Sequence, residues 1–122
     1  MPTWSTDHFT QAELSCHHCG EMAFPPAFLT HLEELRVQWD KPIHLTSAYR
    51  CVLHPEEAKK NLPGEHNRGA IDIQISGPSR YFLIQLAMKL GWSGIGIGPG
   101  FLHLDRGFSR PGALRPSFWT YA

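Results

Sequence analysis

Two rhythms of apolar and polar positions run along this chain, and each predicts a different kind of element. Phe28, Leu32, Leu35 and Trp39 recur at three- and four-residue steps, which marks one face of a helix. That helix opens at the Pro25-Pro26 pair, because proline suits a first turn whose backbone N–H groups have no helical partner. A second long helix is predicted over residues 79–90, with Leu83, Leu86, Ala87 and Leu90 at helical spacing and Gly91 just past its end. Near the start, Thr10-Gln-Ala-Glu13 reads as a capping box, and Phe9 and Leu14 take the two positions of a hydrophobic staple. A short helix therefore precedes a turn at residues 16–20.

The other rhythm has period two. Ile71, Ile73 and Ile75 alternate with Ala70, Asp72 and Gln74, so a strand buries one face and carries Asp72 on the other. Residues 42–49 read as a strand ending beside Arg50. Gly94-Ile-Gly-Ile97 and residues 101–105 read as two strands joined by the turn Gly98-Pro99-Gly100. Leu102 and Leu104 face one way, and Phe101, His103 and Asp105 the other. A helical turn is expected over residues 54–60, then a loop. From Gly107 onward the chain is rich in proline, arginine and aromatics, and is expected to wrap the surface without regular structure. The expected fold is α+β, a small, mainly antiparallel sheet with helices packed on one face and Asp72, His103 and Asp105 in a cleft on the other.

Size and charge narrow the possibilities. At 122 residues the chain fits one domain, taken as residues 1–122, with a core large enough to stand alone. Eleven basic and eleven acidic side chains cancel, so no bulk field draws it to nucleic acid or to a membrane surface. No apolar run approaches the roughly 20 residues that span a bilayer. The first residues lack the basic and apolar regions of a secretory signal, so no self-contained export is expected. Three cysteines are too few for a disulfide framework. Cys16-His-His-Cys19 is half of a zinc pattern that Cys51 could extend, but a packed thiol cluster or a disulfide is the commoner meaning.

The chemistry concentrates in two blocks, His66-Asn-Arg-Gly-Ala-Ile-Asp72 and Phe101-Leu-His-Leu-Asp105. Imidazole nitrogen and carboxylate oxygen suit zinc, and three protein ligands leave a fourth position for water. His66, Asp72 and His103 are the candidate ligands. Each has a plainer reading: a loop histidine bonded locally, or a strand aspartate and a strand histidine paired with a neighbour. Aspartate inside an isoleucine-rich strand is costly unless it pairs or binds a metal.

These blocks, with Phe9-Thr-Gln-Ala-Glu-Leu14, Cys16-His-His-Cys-Gly20, Thr46-Ser-Ala-Tyr-Arg-Cys51 and Gly94-Ile-Gly-Ile97, resemble zinc peptidases of the D-Ala-D-Ala carboxypeptidase type. That is family M15, in the subgroup common in tailed-phage genomes, and the likeness runs from about Phe9 to Tyr121. The resemblance implies the fold shared with the hedgehog signalling domain. It also implies one zinc per chain on His66, Asp72 and His103, with Arg50 holding a substrate carboxylate or carbonyl oxygen. A guanidinium fits that role because it offers a planar pair of donors. The family's spacing between the first two ligands is one residue longer than here. The family's positions for a general base fall on Phe101 and Gly100, which cannot take a proton. Asp105, as base or as supporting partner of a ligand, and Glu65, beside His66, are the local candidates.

The activity expected on this resemblance is hydrolysis of peptidoglycan stem peptides by a monomeric phage enzyme. It would be made in the host cytoplasm and delivered to the wall by a holin or the virion. The expected alternative is a non-catalytic, zinc-stabilised binding or structural protein of the same fold.

Overall fold

The computed structural model describes residues 8–20, 22, 24–49, 69–106 and 115–121. The elements form in the order α1 (Gln11–Leu14), α2 (Pro26–Trp39), β1 (Leu45–Ser47), β2 (Ala70–Gln74), α3 (Gly77–Lys89), β3 (Gly94–Gly98), β4 (Phe101–Asp105) and β5 (Ser117–Thr120). The helical turn expected over residues 54–60 and the loop after it lie outside the described residues.

The helices begin and end where local chemistry directs. At α1 the capping box is made: the Thr10 N–H donates to Glu13 Oε1 at 3.0 Å, and the Glu13 N–H donates to Thr10 Oγ1 at 3.2 Å. Phe9 and Leu14 are both buried. Helix α2 has proline in its first turn and closes at Asp40, whose φ of 56° turns the chain left-handed. Its buried stripe is Phe28, Leu29, Leu32 and Leu35, wider than predicted by Leu29, while Trp39 only packs against the margin. Helix α3 starts two residues before the predicted Ser79, because Pro78 fits its first turn. Gly91, at φ 90°, takes the chain out of it.

The sheet has the order β1-β2-β4-β3-β5. Every pair is antiparallel except β3 with β5, which is parallel. β1 is shorter than the predicted 42–49, as its register with β2 is broken between Leu45 and Ser47. The tail departs from expectation. Its residues 117–120 form an edge strand instead of an irregular wrap, with Ser117, Phe118, Trp119 and Thr120 opposite Gly94, Ile95, Gly96 and Ile97. Arg80 of α3 secures the β3–β4 turn by donating to the Gly98 carbonyl at 2.6 Å.

One core joins the layers. Phe28, Leu32, Leu35, Leu83 and Ala87 of the helices pack with Ile71, Ile73, Ile95, Leu102 and Leu104 of the sheet, each large side chain contributing about 1.5–3 kcal/mol. Trp92, between α3 and β3, meets the Phe28 ring edge-on at 5.5 Å. With these alternate positions turned to the helices, Asp72, His103 and Asp105 all fall on the opposite face.

Candidate active site

Asp72 and His103 stand directly opposite each other on the paired strands β2 and β4. The pleat sends both side chains to the same face, and His103 Nδ1 lies 3.1 Å from Asp72 Oδ1. Two residues along β4, Asp105 places Oδ2 2.7 Å from His103 Nε2. The imidazole is therefore held at both nitrogens by carboxylates. Their surroundings differ: the Asp72 side chain keeps 14% exposure, whereas Asp105 has none.

Asp105 survives burial as an anion because Arg115 reaches it. The Arg115 guanidinium donates from Nε to Oδ1 at 2.7 Å and from Nη2 to Oδ2 at 2.9 Å, the two-pronged geometry that suits a carboxylate. Burial alone would raise the Asp105 pKa, but hydrogen bonds and charge from His103 and Arg115 reverse this and hold it at about 2, below its ordinary 3.8. Burial also works against a charged His103. The hydrogen bonds and charges of Asp105 and Asp72 outweigh it and raise the pKa above the ordinary 6.5.

This arrangement limits what can lie between His103 and Asp72. An ionised Asp105 can only accept, so Nε2 carries a proton and donates to it. In a neutral ring, Nδ1 then turns a lone pair toward the Asp72 carboxylate. Two acceptors 3.1 Å apart repel unless a proton or a cation sits between them. The raised His103 pKa is the proton's version of that answer.

Strand β3 leaves the room. Gly96 lies opposite His103 and Gly94 opposite Asp105. A Cβ on Gly94 would fall 2.0 Å from Asp105 Oδ1 and 2.5 Å from Arg115 Nε, and one on Gly96 would fall 2.5 Å from Trp119 Nε1. Trp119 of β5 uses that space to bring its ring within 5.2 Å of the His103 ring. The Arg115 guanidinium lies 5.2 Å over the same indole.

Of the residues singled out in the sequence, Asp72, His103 and Asp105 are thus brought together. They do not share one exposure, as a common cleft would require: Asp72 is partly exposed, while His103 and Asp105 are buried. Arg50, Glu65 and His66 lie outside the described residues, as does Cys51. Among the described residues, no three His, Cys, Asp or Glu side chains are arranged to hold a metal ion. Cys16 is a buried thiol and Cys19 an exposed one.

Sequence reasoning missed Arg115 and Trp119, which it assigned to an irregular tail. Two acidic side chains predicted on one sheet face called for a cation. The partner arginine, however, is brought in by a parallel pairing that no short-range pattern announces.

A search of curated proteins and one of solved structures found no match to the chain. Over residues 7–105 it matches the family described as Peptidase M15. The match includes Asp72, His103 and Asp105 and stops short of Arg115 and Trp119. Spanning most of the sequence, it shows that the chain belongs to the peptidase M15 family and is a metallopeptidase.

Proposed function

We propose that the protein is a zinc-dependent peptidase that hydrolyses peptide bonds of peptidoglycan stem peptides, as a carboxypeptidase or endopeptidase of phage origin. The observation that supports the zinc part of this reading is the Asp72–His103 pair, a carboxylate oxygen and an imidazole nitrogen 3.1 Å apart, with Asp72 partly exposed. Donors that share one zinc at about 2.0–2.1 Å each, in a tetrahedral arrangement, lie roughly 3.4 Å apart. The pair fits that requirement in both spacing and chemistry, with His66 as the third ligand.

When bound, zinc supplies Lewis-acid polarisation of the scissile carbonyl and lowers the pKa of water toward neutrality. The protein's own groups do the rest. Arg50 grips a substrate carboxylate or carbonyl oxygen with its paired donors. Glu65 is the candidate to accept the proton. Asp105, of the two roles the sequence leaves open, takes the supporting one: fully buried and bonded to His103 and Arg115, it holds the imidazole by Nε2 and leaves Nδ1 as the nitrogen that would bind a metal.

No helix among the described residues is long and apolar enough to cross a membrane. Delivery by a holin or the virion from the host cytoplasm completes the proposal, with the stem peptide as partner and a monomer as the working form. Mass spectrometry of sacculi digested by purified protein tests it. Zinc-dependent appearance of new peptide termini is expected, and intact stem peptides with zinc-loaded protein would refute it.

A second reading rests on the burial of Asp105, which denies one candidate base access to water. A non-catalytic, zinc-stabilised binding protein would retain zinc and leave every wall peptide uncut.

A further inference from the structure

Asp105 is anchored from outside the strand that bears it, and the anchor comes from the segment that leads into β5. Gly94 of β3 pairs with Asp105 on one side and with Ser117 of β5 on the other. Arg115, two residues ahead of Ser117, is thereby delivered beside the buried carboxylate, and the Ser117 N–H fixes it there by donating to the Ser93 carbonyl at 2.8 Å. The fork of Arg115 engages both Asp105 oxygens. A carboxylate gripped at both oxygens cannot swing about its terminal bond, so the direction from Oδ2 to His103 Nε2 is set by the arginine.

We infer that Arg115 is a positioning residue for the metal centre: acting through Asp105, it aims His103 Nδ1 at the position shared with Asp72. The inference rests on the zinc reading above. Three linked contacts carry it, Arg115 to Asp105, Asp105 to His103 and His103 to Asp72, at 2.7, 2.7 and 3.1 Å. Trp119 closes the arrangement by lying against both Arg115 and His103. The matched family region ends at Asp105, so the part of the chain that supplies this control lies beyond it. Partners that fix a ligating histidine contribute about 10–100-fold to metal affinity, which is the size of effect assigned to Arg115.

The test is zinc affinity of the full chain, measured by competition with a chromogenic chelator for the unsubstituted protein, Arg115→Met, Arg115→Lys, Asp105→Asn and the double variant Arg115→Met/Asp105→Asn. The visible spectrum of each cobalt-loaded form is recorded alongside. Arg115→Met should lower zinc affinity about 10–100-fold and alter the cobalt spectrum. Arg115→Lys, which keeps the charge but loses the fork, should fall between, and it carries the test if the methionine variant fails to fold. In the Asp105→Asn background, Arg115→Met should have no further effect, which separates positioning from a general loss of structure. Unchanged zinc affinity in folded Arg115→Met, or an equal loss in both backgrounds, would overturn the inference while leaving the zinc reading intact. Failure of the unsubstituted protein to take up zinc would overturn both.

Discussion

His103 Nε2 and Asp105 Oδ2 lie 2.7 Å apart, across a single intervening leucine of one strand. Because strand side chains alternate, Leu104 turns into the core while its two neighbours meet on the far face. The contact takes one ring nitrogen of His103 out of play, leaving the other to meet Asp72.

Replacing Asp105 by asparagine keeps the shape and removes the charge. The Arg115 cation then loses its ionic partner, and an amide that both donates and accepts replaces a pure acceptor at Nε2. Loss of about 1–3 kcal/mol of folding stability is expected, read as a lower urea midpoint for the metal-free protein. An unchanged midpoint would mean that the buried pair contributes nothing net.

Gly94→Ala tests the packing under the site. Its Cβ would fall 2.0 Å from Asp105 Oδ1, so the carboxylate or the strand must move. Overpacking of this kind costs about 1–3 kcal/mol. Gly100→Ala is the control, because a Cβ there meets nothing within 4 Å although its φ of 72° adds backbone strain. Greater loss of zinc affinity at Gly94 than at Gly100 is the expected pattern.

Acid should weaken the metal-free protein through Asp105. Its folded pKa, about 2, is below its ordinary 3.8, so its contribution is fully present above 3.8 and disappears as pH falls toward 2. His103 has the opposite sign. Its raised pKa contributes stability that is present below 6.5 and lost as pH rises through the folded value. Urea midpoints across pH, in chelator, should therefore decline at both ends, and Asp105→Asn should flatten both declines.

Much of this was legible from local pattern. The stripe of Phe28, Leu32 and Leu35, the Thr10–Glu13 cap and the alternation around Asp72 and His103 each depend on neighbours within a few residues, and each formed as read. The pairing that sets Asp72 opposite His103 follows once the two isoleucine and leucine faces are turned to the same helices. Arg115 and Trp119 were not legible, because β5 joins β3 in parallel, a pairing without a hairpin turn to signal it. Its residues also mix aromatics on both faces, with Phe118 at 60% exposure, so period two gave no clear inward side. The sealed state of Asp105 followed from the same omission, since an uncovered Asp105 would face solvent.

The most direct test of the account is release of new amino termini from purified sacculi by zinc-loaded protein, compared with His103→Ala under the same conditions. Zinc-dependent release by the unsubstituted protein is predicted, abolished by chelator and by His103→Ala, whose helical circular dichroism should stay intact. Full activity in His103→Ala would contradict it.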